Sequence, residues 1–511
     1  MSASTEGEDR TRLDGFELEI FRLVREQATS EQWREWLRAP LEHAAADGNM
    51  DLFTRLMDAG ADGSEGWRGC HGRTLLAAAA HGKSKNMVVA LLKAGAKDDV
   101  NVTFGAREES ALYVAALQSA TEASRVLMAA GADPNLLGGG FNLRTPLQVA
   151  AREGHDGVVG MLLLKGALPN TKTVLGEETA LHLAASRGYT MCVSELLLAG
   201  ADKDSRDGDG STPLIMAARY NRLGAVEELL AAGADVDIRD ESDWSSLHDT
   251  ARRGYVNVVR ALLRHGSSVE ATDDGGFTAL HIAADVSGPH RDNGDTIRVL
   301  LEAGADIEAN TDYGYTPLHV AANGRIASSG TIHAVLEGGA NINARDPSGN
   351  TPLHTACSRS CVGDVELLLR WGADEMLLNQ WGDTPANRLK NWDDDAYFSD
   401  DDDDDENEER LADNQHIRHI LARAPADRAW RRRSWLVLAR CCPTKVQLAN
   451  VSNSSGNNGS CTKIARRARV DGSGGGGNGT AKTKLIELQR LVGRVVGLGT
   501  EGVFRLVVGF L

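Results

Sequence analysis

Thr316-Pro317-Leu318-His319 and Thr351-Pro352-Leu353-His354 are two clean copies of one string, and weaker copies of it run through the rest of the chain. Aligned on the Thr position, they start at Ala39, Thr74, Ser110, Thr145, Thr179, Thr212, Ser245, Thr278, Thr316, Thr351 and Thr384. Successive starts lie 33 to 38 residues apart. A period of this length is the signature of a stacked array, in which each unit buries its apolar face against its neighbours.

Each position in the pattern has a physical reason. Thr accepts a hydrogen bond from the amides that open a helix, and Pro in the first turn has its torsion preset and lacks a donor that would go unpaired. Paired small residues such as Ala184-Ala185, Ala217-Ala218 and Ala321-Ala322 let inner helices approach closely. Gly188 and Gly254 then suit the left-handed conformation that ends a helix. A second, Leu-rich helix follows and closes on a Gly-Ala pair, as in Leu197-Leu198-Ala199-Gly200-Ala201. The chain next runs through an extended excursion such as Ala234-Asp235-Val236-Asp237 and turns back through strings such as Asp273-Asp274-Gly275-Gly276.

This pattern resembles the ankyrin repeat family over residues 39–424. The resemblance implies an all-α repeat solenoid: stacked helix-turn-helix ankyrin repeats with β-hairpin loops that line one face. About eleven repeats are expected, with residues 1–38 as N-terminal capping helices. Departures fall at the ends and in insertions: the first three copies lack the His, the copy from Thr278 carries extra residues near Gly288 to Gly294, and the last reads Thr-Pro-Ala-Asn.

Aromatic residues make up only 5% of the chain, so stability must come from many small Leu and Ala contacts. The 7 cysteines show no CxxC pair and no zinc-finger spacing, which points to free thiols and no metal. The polar, acidic N-terminus shows no secretory signal and no apolar run is long enough to span a bilayer, so a cytoplasmic or nuclear protein is expected.

Charge divides the chain. The net charge is −17, but residues 411–511 carry 17 Lys and Arg against 5 Asp and Glu, a net of +12 that leaves −29 on residues 1–410. Residues 393–410 hold twelve acids against Arg410 alone and read as a disordered acidic insertion in the last repeat. Ser399, with acids directly after it, fits an acid-directed kinase. Beyond the array, residues 425–442 read as an Arg/Trp-rich helix with Arg431, Arg432 and Arg433. Residues 443–484 read as a flexible linker bearing the cluster Arg466, Arg467 and Arg469, and residues 485–511 as an apolar amphipathic segment. This basic C-terminal tail offers an anionic membrane or nucleic acid as an alternative partner.

No nucleophile elbow, phosphate-binding glycine loop or HExxH string appears, so no catalytic residue and no cofactor are expected. In the family, the repeated His (His182, His248, His281, His319 and His354) bonds the Thr hydroxyl and the adjoining loop, which gives these five a structural role. The positions that the repeat leaves free carry the candidate interface: Trp244, Phe277, Tyr313, Tyr315 and Trp381 near hairpin tips, and Arg187, Arg219, Tyr220, Arg252 and Arg253 at the ends of inner helices. Exposed aromatics would be contact anchors, whereas rings packed between hairpins would be part of the framework. The expected function is a non-catalytic protein-binding scaffold or adaptor, monomeric, whose protein partner the sequence does not identify.

Overall fold

The computed structural model describes residues 37–58, 61, 74–285, 292–324, 329–389 and 411–426. The chain divides into Met1–Leu436 and Val437–Leu511, and every described residue lies in the first unit. Inner and outer helices alternate along it, for example Ala180–Arg187 then Thr190–Leu198, and Pro213–Arg219 then Leu223–Ala231.

Helix starts follow the Thr-position chemistry. The hydroxyls of Thr74, Ser110, Thr145 and Thr212 each accept from the backbone N–H three residues on, at 3.2 to 3.3 Å. Pro146, Pro213, Pro317 and Pro352 stand directly after the cap. At the first copy the helix is Arg38–Ala46 with Leu37 at its cap, so Ala39 lies inside the helix and not at its cap. At the last copy Pro385–Arg388 makes only a 3-10 turn.

Helix ends follow the glycine expectation. Gly188 and Gly254 adopt φ of +81° and +68°, and Asn221 and Ser360 hold the same left-handed place in repeats without Gly. The Gly-Ala closure is a Schellman turn: the Ala201 and Ala234 N–H groups reach back to the Leu196 and Leu229 carbonyls at 3.0 Å.

The helices are seven to ten residues in most repeats, too short to be stable alone, so the stack has to supply their stability. One continuous core does this. Leu181, Leu196, Leu214, Leu229, Leu247, Leu262, Leu318 and Leu353 have no exposed area, and the paired alanines lie between inner helices. Side chains in the outer loops add a ladder: Asn135, Asn170, Asp204, Asp237 and Asn343 each accept a backbone N–H from the following repeat, at 2.8 to 3.0 Å.

The hairpins are tight turns with isolated bridges; among the described residues no hairpin extends into a strand. Arg239 pairs with Ser245 and Thr272 with Thr278. Neighbouring tips are joined by single bonds, from Gly208 N–H to Gly176 O, Glu241 N–H to Asp209 O and Asp312 N–H to Gly275 O, at 2.8 to 3.1 Å.

The five histidines tie these parts together. The Thr179 hydroxyl donates to Nδ1 of His182 at 2.8 Å, and His182 Nε2 donates to the Ser211 carbonyl of the next hairpin at 3.0 Å. His248, His281, His319 and His354 repeat this relay to Ala271, to Ala309 and Tyr315, to Asn350 and to Asp383. A carbonyl only accepts, so Nε2 carries a proton; the cap residue's backbone N–H donates to Nδ1, so that nitrogen is bare and the ring is neutral. Gln148 substitutes an amide for the ring: its Oε1 accepts from Thr145 N–H and its Nε2 donates to the Thr171 carbonyl.

The described cysteines, Cys192, Cys357 and Cys361, are buried and free. Burial pushes the Cys192 and Cys361 thiols up to about 12. Among the described residues no helix is long and apolar enough to cross a membrane. The insertion lies outside the described residues, and a helix stands after it at residues 411–426, where Ile417 is buried and Ser360 Oγ donates to Asn414 Oδ1 at 2.7 Å.

Two predictions follow from these contacts. Leu353→Ala should cost on the order of 2 to 5 kcal/mol in denaturant melts, whereas Arg187→Ala on the exposed surface should stay within about 0.5 kcal/mol; equal losses would contradict the burial pattern. The second concerns pH. Burial pushes all five relay histidines below the ordinary value of 6.5, so between that value and the folded pKa the unfolded chain binds more protons. Stability should be fully present above about pH 6.5 and fall as the pH drops below it. The Gln148 precedent predicts that His248→Gln folds and has a shallower pH dependence over this range; an unchanged slope would count against the relay.

Candidate protein-binding face

The hairpin tips are built from one local device. Asp207, Asp240 and Asp273 stand four residues before Ser211, Trp244 and Phe277, and each carboxylate accepts the backbone N–H of that residue at 2.8 to 3.0 Å. Asp346 and Asn379 do the same for Asn350 and Asp383. These side chains fold the turn upon itself, so several acids that look like a charged fringe in the sequence are turn formers.

That turn sets the direction of the residue before each helix cap. Trp244 and Phe277 sit there half-buried, each ring beside the histidine of its own repeat: Trp244 is 6.3 Å from His248, and Phe277 meets His281 edge-on at 5.9 Å. These two belong in large part to the framework. Tyr315 occupies the same place but is 40% exposed, with Tyr313 at 62% and Trp381 at 58%. Ring contacts run from Phe277 to Tyr313 and from Tyr313 to Tyr315, at 6.5 and 6.4 Å, so the aromatic row is continuous across two hairpins. At the far end the Arg388 guanidinium lies 5.6 Å from the Trp381 ring centre.

The inner-helix arginines divide in the same way. Arg187 is exposed, and so is Tyr220. Arg252 is exposed and lies over the Trp244 ring at 5.4 Å. Arg219, however, is bound to two carboxylates of the next repeat, Asp240 and Asp249, each at 2.9 Å. Those acids raise its pKa against the opposing effect of burial. Arg253 is half-buried, 3.8 Å from the same Asp249, and so departs from the exposed side chain that the sequence suggests. Arg219 is thus a clamp between repeats, Arg253 is paired within its own helix, and the accessible candidates are Arg187, Tyr220, Arg252, Tyr313, Tyr315 and Trp381.

Sequence reasoning missed the apolar side chains at the tips of the earlier hairpins. Phe141 is fully exposed, and Val174 and Leu175 are more than half exposed. The signal was the triple glycine Gly138-Gly139-Gly140 directly before Phe141, a string that cannot bury the ring after it. The Gly139 and Gly140 N–H groups both donate to the Arg107 carbonyl of the preceding hairpin, at 2.7 and 2.9 Å. A side chain on Gly139 would collide with the Tyr113 hydroxyl, so the loop is pressed onto that ring.

Ser399 and the basic clusters at 431–433 and 466–469 lie outside the described residues. Among the described residues, no group of three His, Cys, Asp or Glu side chains is placed to hold a metal ion.

Comparison with known proteins places this geometry. The family model described as ankyrin repeats (3 copies) matches residues 41–138, 147–240, 225–311, 247–346 and 286–379. An ankyrin repeat protein of fowlpox virus, FPV031, is 35% identical over 112 residues, covering 22% of this chain and 33% of the viral protein. The nuclear factor NF-kappa-B p105 subunit of Gallus gallus is 29% identical over 204 residues, covering 36% of this chain and 20% of that protein. The chain therefore spans a third or less of the length of these relatives. The crystal structure of the human ASB11 ankyrin repeat domain is similar at a TM-score of 0.40 and 27% identity, covering 45% of this chain and 99% of that one. With the family model matching most of the chain and the relay, caps and hairpins in their places, this protein belongs to the ankyrin repeat family.

Proposed function

We propose that the chain is a non-catalytic scaffold that binds another protein on the face made by its hairpins and inner-helix ends, with the aromatic row at its centre. The carrying observation is that Tyr313, Tyr315 and Trp381 stand exposed, with Tyr220 on an inner-helix end, in a chain that has few aromatic residues. Large, rigid rings bury much area at low entropic cost, which makes them the usual anchors of protein interfaces. The framework gives them a firm base, because the Tyr315 carbonyl is held by His281 and its N–H by Thr311. The chicken relative, by its name a subunit of NF-kappa-B, supports a role in protein assembly.

The centre of the face moves relative to the sequence reading. Trp244 and Phe277, which the sequence offers as anchors, are partly committed to their own repeats. The exposed rings of Tyr313, Tyr315 and Trp381 shift it towards the later hairpins.

The test has two stages. Proximity labelling with the full chain identifies a partner, and titration of that partner measures affinity. Tyr315→Ala and Trp381→Ala should each weaken binding by on the order of 2 kcal/mol, roughly thirtyfold, and leave the melting transition unchanged. Affinity unmoved by both substitutions, with the fold intact, would retire the aromatic row as the interface.

A further inference from the structure

A second surface lies on the fourth and fifth repeats, and its chemistry differs from that of the aromatic row. Arg152 stands seven residues after its cap Thr145, the place that Arg219 holds after Thr212. Arg219 finds Asp249 and Asp240 in the next repeat. For Arg152 the corresponding neighbours are Leu183 and Thr173, the latter accepting the Glu178 N–H as Asp240 accepts that of Trp244, and neither carries a charge. Its nearest carboxylate is the adjacent Glu153 at 3.9 Å, on a side chain that is itself substantially exposed.

Arg144 shows the same lack of a partner more sharply. It is half-buried, its Nε has no hydrogen-bond partner among the described residues, and no carboxylate there comes within ion-pair distance. Burial, and next the charge of Arg152, push its pKa below the ordinary arginine value. Glu178 is near enough to act on it, but burial raises that carboxyl in turn. Arg187, in the following repeat, is exposed and likewise makes no ion pair among the described residues. A partly desolvated guanidinium with no carboxylate paired to it is costly, and a ligand carboxylate at its accessible side would supply one.

Apolar side chains stand at the tips of the same hairpins. Phe141 belongs to the hairpin that ends in Arg144, and Val174 and Leu175 to the next one. We propose that Arg144, Arg152 and Arg187, with Phe141, Val174 and Leu175, form a docking surface for an acidic peptide segment of a partner protein that carries an aromatic or aliphatic anchor. Charge complementarity selects a short segment over a long polyanion. Residues 1–410 carry a net −29, so a long nucleic acid would meet more repulsion than a short segment. This surface shares no residue with the aromatic row, and either can fail without the other.

The probe is a fluorescein-labelled Asp/Glu-rich peptide with a central Phe-Leu pair, titrated with the full chain by fluorescence anisotropy. The comparison arms are the same peptide with Ser in place of Phe-Leu, its Lys-substituted counterpart, and a single-stranded DNA oligonucleotide. The acidic apolar peptide should bind most tightly, and its affinity should fall as salt rises. Arg144→Gln combined with Arg152→Gln should weaken it on the order of tenfold or more. Arg187→Glu and Phe141→Ser change exposed side chains, so they keep the test valid if the double variant melts early; each should weaken binding severalfold. Tyr315→Ala should leave this affinity unchanged. Absence of peptide binding, equal affinity in Arg187→Glu and Phe141→Ser, or tighter binding of the oligonucleotide would overturn the proposal.

Discussion

The fold depends on a neutral imidazole held between one repeat's helix cap and the next repeat's hairpin. Each unit is a pair of short helices and a turn, with too little apolar surface to stand alone and with polar groups left over at both ends. His182, His248, His281, His319 and His354 settle both deficits by accepting from their own cap and donating to a carbonyl 23 to 34 residues on. Proton position, ring orientation and repeat spacing are therefore fixed together. The sixth repeat shows what replaces the relay. Its fourth string position is Ile215, buried and without a polar atom, and there the Arg219 clamp to Asp240 and Asp249 provides the polar link to the next repeat.

The same economy governs what is free to bind. An aspartate at the start of a hairpin folds the turn by accepting from the backbone, so Asp207, Asp240 and Asp273 are already engaged. Whether an aromatic at the tip packs or protrudes depends on its neighbours. Trp244 is covered by Arg252, and Phe277 lies against His281 and Tyr313. Tyr313 is left outermost in that cluster because Gly314 after it takes φ +73° and turns the chain back beneath it. Binding capacity is thus what remains after the repeat has satisfied its own hydrogen bonds.

Much of this was legible in the sequence because the decisive interactions are local or strictly periodic. Thr caps, Pro in the first turn, left-handed Gly and the histidine relay all follow from offsets within one period. At the first copy neither Ala39 nor Leu37 offers a capping oxygen, and the helix begins after Leu37, two residues before the Thr-position alignment. The last inner helix shrank to a 3-10 turn, with Asn387 standing where a relay histidine would be. Side-chain partners were harder to see. Arg219 and Asp249 are 30 residues apart and look unrelated until the repeats are stacked in register, when they become neighbours. Arg253 pairs with the same Asp249 four residues before it, and the lack of a carboxylate for Arg152 in the next repeat's matching places is visible only by contrast with the Arg219 clamp.

This contrast bears on how the array can evolve binding sites. Nearest-neighbour contacts carry the stability, so a charge at an inner-helix end is structural or available according to a single choice in the following repeat, acidic or neutral. With Asp249 opposite, Arg219 is absorbed; with Leu183 opposite, Arg152 meets no carboxylate at that place. Sites separated by several repeats share no side chains, and changes at such distances combine nearly additively. The patch around Arg144 and the row around Tyr315 can therefore be tuned separately on one framework, because the relay that fixes each hairpin extends only to the next repeat.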